Sequence, residues 1–432
     1  MIKECGWLVG VACLALACGA APAQQPASLT LQQAHEAALK NHPRISVAQL
    51  TALATGQVAR QARAGYYPQV SANVLAVGTA DNNTRLSAIG ALNNPAIYDR
   101  EAQGVMVSQL ITDFGRTLNL SRSAELRARA AENATEATRE QVLLAVDAAF
   151  LNALEAQAVT RVAQQTVTNR QLLLDQVGAA ARNNLRPELD VSFAKVNFEE
   201  AQLILSRAQN DLQAGFVRLD NLMGLTESTN YQLVEQPMPA DPSTNVAEYV
   251  QQALSHRPDV LSLRNEQGAA AKFARAERAL RYPTLAAVGA AGLSPIRDSQ
   301  LRDNFAAAGV ILSFPLYTGG LYAARQREAE LRAQAAAETL RDLENNVIRD
   351  VRIAWLNAQN ARDRLPITRR LLDNARLALE LAQARYKNSI SSIVELNQAE
   401  LTQISAEIAY ASTQYEYLLQ RSALSFQIGA LQ

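Results

Sequence analysis

Apolar positions recur at helical spacing over most of the chain. Leu143, Val146, Phe150 and Ala153 step by 3, 4 and 3, and Ile348, Val351, Trp355 and Ala358 repeat those steps. This stepping marks a coiled-coil seam. Around the first seam the helical pattern runs from Gly115 to about Ala180, which at 1.5 Å per residue is on the order of 100 Å. No globular core needs a helix of that length; a long tube does.

Elsewhere the period drops to two. From Pro68 to Val77, Val70, Ala72, Val74 and Ala76 share one face, and Gln69, Ser71 and Asn73 the other. A polar loop, Asp81 to Arg100, separates this stretch from a second extended run, Gly104 to Thr112. The arrangement recurs as Thr284 to Leu293, a loop near Ser294 to Asn304, and Gly309 to Tyr317. These are two β-hairpins with strands near the roughly 9–11 residues of a tilted membrane strand. Tyr66, Tyr67, Tyr282, Phe314 and Tyr317 fall at the strand ends. They suit an interfacial aromatic girdle, with ordinary strand-end aromatics as the alternative.

Self-comparison shows that the chain is one unit written twice. Thr30-x-x-Gln33 and Asn245-x-x-Glu248, both of capping-box form, lie 215 residues apart, as do Tyr67-Pro68 and Tyr282-Pro283. After the hairpins the offset becomes 205: Ala124-Glu-Leu-Arg-Ala128 recurs letter for letter at Ala329 to Ala333. The expected organisation is a signal peptide (1–23), a first repeat (24–225), a linker (226–244) and a second repeat (245–432). In each repeat a helix precedes a β-hairpin (about 68–112 and 283–317) and a long helical hairpin (about 115–224 and 320–429). Two polar breaks, Ala181 to Ala194 and Tyr386 to Ala399, read as the turns of those long hairpins.

Composition narrows the function. Acidic and basic residues balance at 41 each, which leaves no basic field for nucleic acid. Cys5, Cys13 and Cys18 are the only cysteines, so no disulfide framework or thiolate metal site is expected in the rest. Lys3 and the apolar run Trp7 to Ala17 form a secretory signal, with Ala21-Pro22-Ala23 as the cleavage site and lipidation of Cys18 as the second reading. No later stretch reads as a membrane-spanning helix, so a span would be built of strands. His35, His42 and His256 lack ligand-spaced partners, and neither a phosphate-binding Gly-Lys motif nor a nucleophile elbow occurs. Neither an enzyme nor a metal or other cofactor is expected.

The ordered set of features resembles the TolC-like outer-membrane efflux factors. The likeness is carried by the tandem repeat, the Tyr-Pro before each first strand, the turns Asp113-Phe-Gly-Arg116 and Thr318-Gly-Gly-Leu321, and Leu222-Met-Gly-Leu225 at a repeat end. It is carried most specifically by the tip pattern: Tyr386, Ser389, Glu395-Leu396 and Ala399, matched in the first copy by Ala181, Asn184, Asp190-Val191 and Ala194. The resemblance implies a mainly α protein with β-strands, a homotrimer whose long hairpins form an α-barrel fused to a 12-stranded barrel in outer-membrane lipid. The implied function is a passive duct for efflux or type I secretion, working with a periplasmic adaptor and an inner-membrane transporter. A non-conducting periplasmic coiled-coil protein is the alternative. Gate or constriction residues are expected at Tyr386, Ser391, Glu395, Gln398 and Asp190. Around a threefold axis Glu395, and with it Asp190, would form carboxylate rings favouring cations. Gln398 stands where the family tends to carry a second acid, and Ser391 where a basic residue can lock the hairpins. Tyr386 is expected to hydrogen-bond Asp190 across the tips.

Overall fold

The computed structural model describes residues 27–77, 100–226, 230–239, 241, 243–296 and 302–431. The signal segment with Cys18, most of the loop from Asp81 to Arg100, and residues 297–301 of the second loop lie outside these. The elements run β1 (Ala27–Leu29), α1 (Leu31–Asn41), α2 (Pro43–Ala64), β2 (Gln69–Val77), β3 (Arg100–Thr112), α3 (Arg116–Arg182) and α4 (Glu188–Leu222). The order then repeats: β4 (Tyr231–Leu233), α5 (Val246–His256), α6 (Pro258–Arg278), β5 (Thr284–Ile296), β6 (Asn304–Ser313), α7 (Leu321–Lys387) and α8 (Ile393–Gln427). Helices α3 and α7 each hold 67 residues, and α4 and α8 each hold 35. β1 pairs in parallel with β4, which ties the second unit's entry to the start of the first.

The helical region before each β-hairpin is two helices, not one. His42 and Arg257 are extended, and Pro43 and Pro258 occupy the first helical position. Proline has no N–H to give the preceding turn, so it ends one helix and starts the next. At α1 the capping box is reciprocal: the Gln33 N–H donates to Thr30 Oγ1 (3.3 Å) and the Thr30 N–H to Gln33 Oε1 (2.9 Å). The second box differs. Asn245 Oδ1 accepts from the Ala247 N–H (3.1 Å), and its amide donates to Glu248 Oε1 (2.9 Å). Glu248 is held by the cap's side chain, not by its backbone.

The first seam is packed as expected: Val146, Phe150 and Ala153 are fully buried and Leu143 nearly so. The second is shifted. Its buried stripe is Val347, Val351, Ala354 and Ala358, while Ile348 and Trp355 are only half-buried. Trp355 turns toward the linker, where its indole N–H donates to the Ser243 carbonyl (2.9 Å). One expectation about helices needs correcting. α3 does contain a window long and apolar enough to cross a membrane. That stretch contains the packed seam and the buried Asp147, which bonds His35 of α1 at 2.5 Å. Its apolar side is core, against α1, α4 and α8.

The four long strands form one antiparallel sheet in the order β2-β3-β5-β6, so the two hairpins join through β3 and β5. Gly104 and Gly292 face each other across that junction, where a Cβ on Gly292 would collide with Gly104 and the Gln103 carbonyl. Gly292, the second glycine of Gly289-Ala-Ala-Gly292, thus serves sheet packing. β6 starts at Asn304 and ends at Ser313; Phe314 to Tyr317 leave the sheet at Pro315, which has no N–H for the ladder. Tyr66, Tyr67, Phe114, Tyr282 and Phe314 are exposed and lie at one end of the sheet, where the strands meet the helices. Phe114 and Tyr282 stack with centroids 5.7 Å apart.

Candidate functional site

The far ends of the two long hairpins are tight turns. α3 leads into α4 through residues 183–187, and α7 into α8 through 388–392. Asn184 (φ 55°) and Ser389 (φ 58°) both occupy the left-handed region, each where a glycine is the low-strain choice. The turns share a backbone plan as well as a sequence offset.

The two tips are bound to one another by side chains. Tyr386, buried at the end of α7, donates its hydroxyl to Asp190 Oδ2 in the first turn of α4 (3.2 Å). Burial, followed by the nearby Asp190 charge, pushes the Tyr386 hydroxyl pKa up, so it stays a proton donor through neutral pH. Around this bond sits a small apolar cluster of Val177, Ala194, Ala382, Ile393 and Leu396, drawn from all four long helices. Arg186, in the first turn, completes the clasp. Its Nη2 donates to the Tyr386 carbonyl (2.7 Å) and to Ser389 Oγ (3.3 Å), and its guanidinium lies 4.2 Å from the Tyr386 ring centre. Each contact is charge-assisted and partly shielded, so together they outweigh an exposed surface pair.

Arg186 is the residue that sequence reading missed, yet a signal for it exists. Ser391 minus the repeat offset of 205 is position 186. The basic lock expected on the second hairpin sits at the equivalent position of the first. Ser391 itself has a buried Oγ with no hydrogen-bond partner.

The acids take different roles. Asp190 and Glu395 both lie in the first turn of their helices, where the macrodipole favours a carboxylate. Asp190 joins the clasp. Glu395 does not; it pairs with Arg385 of its own hairpin (3.1 Å), with both side chains about half exposed. Gln398 is exposed and stands outside the clasp. Among the described residues no cluster of His, Cys, Asp and Glu could hold a metal ion.

A sequence model of the outer membrane efflux protein family matches residues 34–225 and 249–430, one match per repeat. The chain belongs to this family. It is therefore an outer-membrane efflux protein that reaches into the periplasm. It is 25% identical over 365 residues to the outer membrane protein OprJ of Pseudomonas aeruginosa, covering 80% of this chain and 73% of that protein. It is 24% identical over 346 residues to the outer membrane protein TolC of Vibrio cholerae, covering 78% of each. Among solved structures, the outer-membrane channel OprN superposes with a TM-score of 0.80 at 20% identity, over 93% of this chain and 90% of that one. CusC superposes with a TM-score of 0.79 at 20% identity, over 92% of each.

Proposed function

We propose that this efflux protein works as a homotrimer: a passive duct shut at rest by the clasp between its helical tips. The observation that carries the reading is the open sheet above the two long hairpins. Among the described residues β2 and β6 each leave an unpaired edge. One face of the sheet is lined by Val70, Val74, Val105, Val107, Val310 and Leu312, all exposed. Lipid tolerates an apolar face but not an open edge, so strands must close on other copies. Two copies give eight strands and a filled interior; three give twelve and leave room for a pore. A non-conducting periplasmic coiled coil would need neither the sheet nor its apolar face.

In this reading the helices form the periplasmic tube, and an inner-membrane transporter with a periplasmic adaptor supplies energy and cargo. No catalytic step is involved. The gate consists of Tyr386, Asp190 and Arg186, with Ser391, Glu395 and Gln398 beside it. Glu395 lends the axis less net charge than a bare carboxylate would, because Arg385 accompanies it.

The edges supply the test. The mature chain has no cysteine after Cys18, so cysteines placed at Asn73 on β2 and Ala307 on β6 can be cross-linked specifically in membranes. A ladder that stops at three chains is expected. A ladder that stops at two, or climbs past three, would overturn the trimer.

A further inference from the structure

Between the two hairpins, just above the clasp, lies a cavity of about 660 Å³ walled by α3, α7 and α8. We propose that this cavity is a binding site for an amphipathic organic anion, a carboxylate or sulfonate carried on an apolar body. Its volume falls within the range of small-molecule sites. Arg170 of α3 is set in its wall, with a side chain only 3% exposed. Arg170 Nη1 donates to the Asn197 carbonyl (2.5 Å), but among the described residues its Nε has no hydrogen-bond partner. The nearest carboxylates, Glu200 and Glu400, stand 3.8 and 3.9 Å away, beyond hydrogen-bond reach.

Glu400 answers that charge poorly. Its Oε2 is buried and, among the described residues, accepts no hydrogen bond, and burial raises its carboxyl pKa against the pull of Arg170. A buried guanidinium left in this state is costly, and an anion that reaches Nε relieves it. Arg186 and Lys387 line the same cavity, and among the described residues neither forms an ion pair. Leu173, Leu379 and Ile404 supply an apolar wall. The excess of positive charge excludes an organic cation, and the apolar wall favours an organic anion over an inorganic one. Because the walls come from both hairpins, a bound anion would hold the tips together. That consequence rests on the gate reading, whereas binding itself does not.

The experiment uses the full mature protein in lipid nanodiscs, with empty nanodiscs as blank. 2-Naphthoate is titrated calorimetrically beside its cationic counterpart, naphthalene-2-methylammonium. Saturable binding of naphthoate is expected, weakened about tenfold or more in Arg170→Gln, as befits loss of a charge-assisted contact. Asn169→Trp, at the cavity mouth, should abolish binding while leaving Arg170 in place. Absence of saturable naphthoate binding, equal affinity for the cation, or wild-type affinity in both variants would overturn the site. Conductance recorded on the same samples separates the consequence: binding without any drop in channel opening would sink the coupling to the gate and leave the site standing.

Discussion

At the scale of single residues, the clasp rests on a division of labour between two turns. The first contributes the charge, Arg186 and Asp190; the second contributes Tyr386 and a backbone carbonyl. Replacing Arg186 with Gln removes two charge-assisted hydrogen bonds and a cation–π contact, a loss of about 1–2 kcal/mol after solvent screening. Bilayer recordings should then show open probability raised about 5- to 30-fold; an unchanged open probability would remove Arg186 from the gate. Tyr386→Phe keeps the ring for Arg186 and loses only the bond to Asp190, so its effect should be smaller, about 0.5–1.5 kcal/mol. The turn residues Tyr386, Ser389, Asp190 and Asn184 were legible in the sequence because their spacing repeats at a fixed offset. The partner of Glu395 was not, because the Arg385–Glu395 pair depends on how two helix ends meet. Arg186 was half legible: the need for a basic residue could be read, but not which copy of the repeat supplies it.

Glu140 on α3 offers a pH test at the same scale. Burial outweighs the nearby Arg257 and raises its carboxyl pKa to about 7. A carboxyl that binds its proton more tightly folded than unfolded stabilises the fold fully below its unfolded pKa of 4.5, and that stability is lost as pH rises through about 7. The thermal midpoint of the mature protein should fall between pH 5 and 8, and Glu140→Gln should flatten that slope. An equal slope in the variant would show that another group is responsible.

At the scale of elements, the repeat fixes length more strictly than packing. The matching long helices have the same number of residues, yet their seams differ because each meets different neighbours. Phe150 is fully buried in a core built from α1, α3 and α4, so Phe150→Ala should cost about 3–5 kcal/mol. Trp355, its repeat counterpart, is half-buried beside the linker, and Trp355→Ala should cost clearly less. Equal losses in denaturation midpoints would contradict the shifted seam. Heptad stepping alone marked both residues as core, because a one-position rotation of a helix leaves its period unchanged. Proline marks a second asymmetry. α7 carries Pro366 in its interior, where α3 has Arg161 at the same offset. Pro366 removes one ladder bond, so Pro366→Ala should add about 1–3 kcal/mol of stability and raise the thermal midpoint. A lower midpoint would mean that Pro366 is needed for packing.

At the scale of the whole molecule, a single chain is unfinished. Among the described residues its sheet has two unpaired edges. The family match over both repeats and the OprN and CusC superpositions place the chain among outer-membrane efflux proteins. The fold was widely legible in the sequence because two copies of every element reinforced one another. The split of each leading helix was less so, although Pro43 and Pro258 announce it. The most direct test of the central claim is planar-bilayer conductance of the purified mature protein, with its mass measured on the same sample. A trimer with small conductance is expected, rising to discrete ohmic steps in Arg186→Gln. A water-soluble monomer, or a trimer that stays silent with the clasp removed, would contradict it.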